Sequence, residues 1–151
     1  MTEVGAWRNS KVLGYGEVKP DDIQYGGFYT QEDAREIVKY ARDRFIEIVP
    51  EVDIPGHSQA AVASYPEFLA CDSQNSHEVW RYQGVSTDVI NVSNPRAVQF
   101  AEDVIDELTE VFPYAYLHWE ETNVLLTSGI QMLVVRNNSN RFKAPTIVTY
   151  R

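Results

Sequence analysis

The sequence predicts an α/β fold in which parallel strands alternate with helices, and three observations carry that prediction. Two stretches, 31–45 and 95–112, space their apolar residues as one face of a helix. Each runs directly into a short β-branched or aromatic segment, 46–52 and 114–119. The order helix, strand, long connection, helix, strand is that of βαβ units.

Residues 1–29 hold Gly14, Gly16, Pro20, Gly26 and Gly27 and read as a long loop. Thr30 then offers a helix cap, with Asp33 three residues on in place of the usual Glu or Gln. Ala34, Ile37, Val38, Ala41 and Phe45 follow at helical spacing, so 31–45 is expected to be an amphipathic helix. Ile46 to Val52 reads as a strand, although Pro50 inside it argues against a central one. Asp53-Ile-Pro-Gly-His57 turns the chain, and the Ala-rich 58–64 is expected to form a helical turn or two. Residues 65–93 form a connection long enough to be functional or to carry short elements of its own. Asn94-Pro95 is a strong helix start, and Ala97, Ala101, Val104, Ile105, Leu108, Val111 and Phe112 define the face of the helix that follows. Pro113 ends it, and 114–119 is the second strand. In such folds chemistry collects where strands end, which singles out His57 and His118.

Charge divides the chain in two. The formal net charge is −9, which argues against nucleic acid or an anionic membrane as partner and leaves a neutral ligand open. All 22 acids lie in residues 1–123, with 9 of the 13 basic residues. Residues 124–151 have no acid and carry Arg136, Arg141, Lys143 and Arg151. So abrupt a shift suggests a tail of different origin after a domain spanning 1–123. No run approaches the roughly 18 apolar residues of a membrane span, and the N-terminus lacks the apolar core of a signal peptide. The one cysteine, Cys71, excludes an internal disulfide and reads as a small buried apolar residue.

Glu51, Asp53 and His57 form the first candidate cluster. Polar groups at a buried strand end are costly unless hydrogen-bonded. They read as an active-site wall in which a carboxylate orients an imidazole, as metal ligands, or as a turn with Asp53 bonded to backbone amides. His118-Trp-Glu-Glu121 is the second. Paired carboxylates after a strand invite a two-carboxylate glycosidase, but a solvated pair at a loop start is the preferred reading. His77 reads as an exposed loop residue. Trp7, Tyr65, Trp80 and Tyr82 could stack on a sugar, though loop aromatics more often pack locally. Asn91-Val-Ser93 and Asn137-Asn-Ser139 fit the glycosylation pattern, a weak signal.

Several of these stretches together resemble the family 20 β-N-acetylhexosaminidases. They are Thr2 to Arg8, Gly27-Phe-Tyr-Thr-Gln-Glu-Asp33, Ile48-Val-Pro-Glu-Val-Asp-Ile-Pro-Gly-His57, Tyr65-Pro-Glu67 and Phe112 to His118. The resemblance implies part of a TIM-type (β/α)8 barrel that removes terminal β-linked N-acetylglucosamine or N-acetylgalactosamine from glycans. The substrate's own acetamido oxygen then attacks, with retention, while an Asp steadies the oxazolinium ion and a Glu protonates the leaving oxygen. It implies catalytic roles for His57 and Asp53, substrate-binding roles for Glu51 and His118, no metal or other cofactor, and a periplasmic, secreted or lysosomal setting.

One departure matters most. The family reads His-x-Gly-Gly-Asp-Glu where this chain reads His118-Trp-Glu-Glu-Thr-Asn123, so Thr122 and Asn123 replace the catalytic carboxylates. Deleting one A from CAC ATG GGA GGA GAC GAA TGT CCT yields CAC TGG GAG GAG ACG AAT GTC CT. That string spells His118 to Val124 and then allows Leu125. The acid-free tail fits such a reading-frame slip. The family's first strands would also precede Met1. Three or four βα units cannot close a barrel, so the isolated chain is expected to be poorly stable or to self-associate. Two other readings remain: a non-catalytic carbohydrate-binding module on the same scaffold, and a barrel hydrolase with Asp53 and His57 on a metal, for which no third ligand is evident.

Overall fold

The computed structural model describes residues 1–8, 25–82, 84–114, 116–121 and 130–135. Most of the loop expected before residue 25 lies outside these residues, as do Thr122, Asn123 and the rest of the tail apart from one strand. The chain divides into two compact units, Met1–Phe28 with Pro55–Val98, and Tyr29–Ile54 with Gln99–Arg151.

The first unit opens with helix α1, Thr2–Gly5, and a two-residue ladder in which β1, Trp7–Arg8, runs antiparallel to β2, Tyr25–Gly26. These elements lie in the stretch expected to be loop. Glycines permit them. A Cβ on Gly5 would sit 2.8 Å from the Ala60 carbonyl oxygen, and one on Gly26 would collide with the Ala6 carbonyl. Helix α3, Gln59–Ser64, confirms the Ala-rich turn. Pro66 at its first position then starts the short α4, Pro66–Leu69. Ala61, Val62, Leu69, Ala70, Ile90 and Ala97 form this unit's core, with Val62 and Leu69 fully buried. The long connection returns to it through the Ile90 amide on the Pro55 carbonyl, 3.0 Å, and the Asn91 amide on the Leu69 carbonyl, 2.8 Å. Asn94 caps α5, Pro95–Val111, its side-chain oxygen accepting from the Arg96 amide at 3.0 Å.

In the second unit, α2 spans Gln31–Arg42. Its capping box is complete: Asp33 donates its amide to Thr30 Oγ1, 3.1 Å, and returns a carboxylate oxygen to the Thr30 amide, 2.9 Å. Aspartate therefore closes the box here as Glu would. The Thr30 hydroxyl, donating to Asp33 Oδ2 at 2.6 Å, and then the Thr30 amide hold the carboxyl below the ordinary aspartate value. The helix ends three residues earlier than expected. The Phe45 and Ile46 amides fold back onto the Arg42 and Ala41 carbonyls, and Phe45 takes a left-handed φ of 59°. That turn leaves Phe45 fully exposed, off the helix face assigned to it, and delays the strand.

Strand β3 is accordingly Glu51–Asp53, not 46–52. Pro50, which has no amide hydrogen, precedes it and contributes only its carbonyl, which accepts the His118 amide at 2.9 Å. Strand β4, Tyr116–Glu121, lies parallel to β3, with Glu51 opposite His118, Val52 opposite Trp119 and Asp53 opposite Glu120. The expected parallel pair is thus present. Strand β5, Ile130–Val135, departs from the all-parallel expectation and runs antiparallel to β4, giving the order β3-β4-β5. Residues 122–129 are too few for the crossover of about a dozen residues that a parallel neighbour requires. Val38, Ala41, Ile54, Val111 and Leu117 are this unit's buried apolar residues. Among the described residues, no helix is long and apolar enough to cross a membrane.

Candidate active site

Period-two alternation along β4 decides what faces the site. Leu117 is buried, so His118 projects to the opposite face, where the parallel register sets it against Glu51. His118 Nδ1 meets Glu51 Oε2 at 2.6 Å. An imidazole that donates from Nδ1 to a carboxylate keeps Nε2 for a second partner, and its ring orientation is fixed. The pair is partly solvated, with side-chain exposures of 26% for His118 and 57% for Glu51. It is an ordering contact more than a stabilising one. Asp53 follows on the same face of β3 and is half-buried.

His57 belongs to the first unit. Its side chain is exposed, and its backbone is left-handed at φ 47°. Such a conformation is uncommon outside glycine and accumulates at functional turns. The turn is anchored on both sides. Gly56 is buried beneath it, and the Ser58 hydroxyl donates to the Gly56 carbonyl at 2.9 Å. Of the four expected site residues, the structure therefore joins Glu51 to His118, sets Asp53 beside them on β3, and presents His57 on a constrained turn four residues further along. Glu120 and Glu121 end β4 as backbone; their side chains lie outside the described residues.

Two expectations fail. Cys71 is exposed, its thiol 3.7 Å from the Val89 carbonyl, because the chain leaves the core at Ala70. His77 is not an exposed loop residue. Its side chain is 8% exposed, with Nδ1 2.8 Å from Asp88 Oδ2 and Nε2 2.7 Å from the Asp72 carbonyl. The Asp88 hydrogen bond, with help from Asp72, raises its pKa above the ordinary histidine value. No local pattern announces this burial; Asp72 and Asp88 on either side are the only hint.

Three of the four aromatic candidates, Tyr65, Trp80 and Tyr82, pack against neighbouring rings, as loop aromatics usually do. Tyr65 stacks on Phe68 with ring centres 5.5 Å apart, and Trp80 meets Tyr82 edge-on at 5.2 Å. A cavity of about 490 Å³ is lined by Trp7, Arg8, Gly26, Gly27 and Val79, among others, but by none of the four expected site residues. Among the described residues, no three His, Cys, Asp or Glu side chains gather as a metal ion would need.

A parallel βα segment with a carboxylate-ordered histidine on its strands occurs in many enzyme classes, and the comparisons make the class specific. Residues 1–124 match glycosyl hydrolase family 20, catalytic domain. The chain belongs to that family. It is 41% identical over 127 residues to a Beta-hexosaminidase of Porphyromonas gingivalis and 35% identical over 118 residues to one of Vibrio furnissii. Each match covers 78% of this chain but only 16% and 19% of those proteins, so the chain spans a small part of their length. Among solved structures it resembles the GH20 beta-N-acetylhexosaminidase of Streptomyces coelicolor. The TM-score is 0.61 and the identity 36%, over 76% of this chain and 21% of that one. A mutant Streptomyces plicatus beta-hexosaminidase in complex with product, GlcNAc, gives a TM-score of 0.60 at 36% identity, over 75% of this chain and 20% of that one.

Proposed function

We propose that this chain is a segment of the catalytic (β/α)8 barrel of an exo-acting β-N-acetylhexosaminidase. The parent enzyme removes terminal N-acetylglucosamine or N-acetylgalactosamine by substrate-assisted, retaining catalysis. The observation that carries the reading is the Glu51–His118 pair, 2.6 Å apart on parallel strands, within residues that match the family 20 catalytic domain. Asp53 lies on the same face of β3, and the family resemblance gives His57 a catalytic role. The product bound in the Streptomyces plicatus relative supports an amino sugar as the ligand class.

The 151-residue chain itself is inactive on this reading. Thr122 and Asn123 stand where the family has its Asp and Glu. Neither a hydroxyl nor an amide protonates a leaving oxygen as a carboxylic acid does, and neither carries charge to balance an oxazolinium ion. The abrupt loss of acidic residues after residue 123 supports a frame slip at codon 119.

An aryl β-N-acetylglucosaminide assay of the purified chain tests the inactivity, with no turnover above buffer as the expected result. Substantial turnover refutes it. Nucleotide sequence across codons 118 and 119 tests the slip. An in-frame TGG with no deletion in independent reads ends that part of the reading.

A further inference from the structure

The long connection 71–90 is tied to the chain just after His57 by a closed hydrogen-bond network. The Gln59 side-chain amide donates to Asp88 Oδ2, 3.1 Å, and to the Glu78 carbonyl, 2.8 Å. Its oxygen accepts from the Ser86 hydroxyl. The same hydroxyl accepts the Asp88 amide at 3.0 Å, and Asp88 Oδ2 also meets His77 Nδ1 at 2.8 Å. His77 Nε2 reaches the Asp72 carbonyl at 2.7 Å. Both ring nitrogens thus face acceptors, an arrangement that only the doubly protonated imidazolium satisfies in full. Gln59 lies two residues beyond His57, and two residues beyond Asp88 the Ile90 amide holds the Pro55 carbonyl at 3.0 Å. The network therefore closes on the segment 55–59 from both sides.

We propose that the Gln59–Ser86–Asp88–His77 network is a pH-responsive latch that holds the His57 turn, with Asp88 and His77 as positioning residues for His57. For its functional consequence the proposal rests on the reading of His57 as an active-site residue. The charged groups facing His77 are Asp88 and Asp72; Glu78, next in the chain, is engaged by Arg81 at 3.0 Å. Loss of the His77 proton turns one of the two ring contacts from attractive to repulsive, since a bare ring nitrogen then faces an oxygen. The connection loosens at Asp88, and the Ile90–Pro55 bond beside the turn loosens with it. The latch is closed at mildly acidic pH and opens as pH rises.

The test uses the 151-residue chain in solution. Proton NMR follows the His77 ring, and amide exchange, corrected for intrinsic rates, is read at His57, Asp88 and Ile90 between about pH 5 and 8. The expected result is a His77 titration above the ordinary histidine value, with protection at Asp88 and Ile90 falling severalfold through that same titration. In His77→Gln the protection is lower and no longer follows that titration. A His77 titration at or below the ordinary value overturns the proposal, as does protection that is flat with pH in the unaltered chain. Should His77→Gln fail to fold, those two measurements on the unaltered chain decide alone. Neither readout depends on glycoside turnover, so the latch and the activity reading fail separately.

Discussion

The two units each pair a histidine with a carboxylate at nearly the same distance, yet the two pairs are built for different ends. His118 and Glu51 meet at 2.6 Å on the face of a sheet, with exposures of 26% and 57%. His77 and Asp88 meet at 2.8 Å with exposures of 8% and 30%, and a backbone carbonyl takes the second ring nitrogen of His77. Burial and the second acceptor separate them. His77 is fully committed and raised in pKa, which suits a structural tie. Among the described residues the second ring nitrogen of His118 has no partner, which suits a site that must receive a ligand. Proximity alone does not distinguish a brace from a working group; the unclaimed atom does.

Four measurements break or sharpen that contrast. The largest effect belongs to the core of the first unit. Leu69→Ala removes a fully buried side chain and should cost about 2–5 kcal/mol, measured by urea unfolding. A loss under about 1 kcal/mol would mean that the first unit is not the well-packed support the latch needs. Next comes the contrast itself. Asp88→Ala leaves a buried imidazole short of its acceptor and should cost about 1–3 kcal/mol. Glu51→Ala should cost no more than about 1 kcal/mol, because its pair is half-solvated. Equal losses would dissolve the distinction drawn here.

Third is the pH dependence. The folded value of His77 is raised, so its stabilisation is complete below the ordinary value of 6.5 and is lost as pH rises through the folded value. Unfolding free energy should therefore decline on the alkaline side in the unaltered chain more than in His77→Gln. The smallest effect is local: Phe45→Gly relieves a left-handed phenylalanine that makes no buried contact and should stabilise by about 1 kcal/mol. A measurable loss would show that Phe45 contributes packing.

The helices were legible because their signals are local. Thr30 and Asp33 close their box, Asn94 caps Pro95, and Ala97 and Val111 are buried on the face their spacing assigns. The parallel pairing of the two strands followed from the order of elements. Strand limits were less legible. A left-handed Phe45 is not encoded by a turn residue, and Pro50 could be placed at a strand start only once its carbonyl had a partner on His118. For the candidate site, motif and resemblance named Glu51, Asp53, His57 and His118, of which the structure joins the first and the last. The Glu51–His118 bond joins residues 67 positions apart, and its geometry depends on register. His77 and Cys71 were read the wrong way round because burial inside a long connection depends on where the chain returns. Here it returns through Ile90 and Asn91.

The antiparallel β5 bears on any attempt to rebuild the sheet from separate pieces. From Tyr116 to Glu121 every residue of β4 has a partner in β5, while β3 lies along its other side. Within the described sheet, a strand supplied in trans finds two open rails, the outer sides of Glu51–Asp53 and of Ile130–Val135. Truncation before Ile130 would remove the β5 rail and open one on β4. Complementation with a parallel strand on that side should then succeed only in the shortened chain.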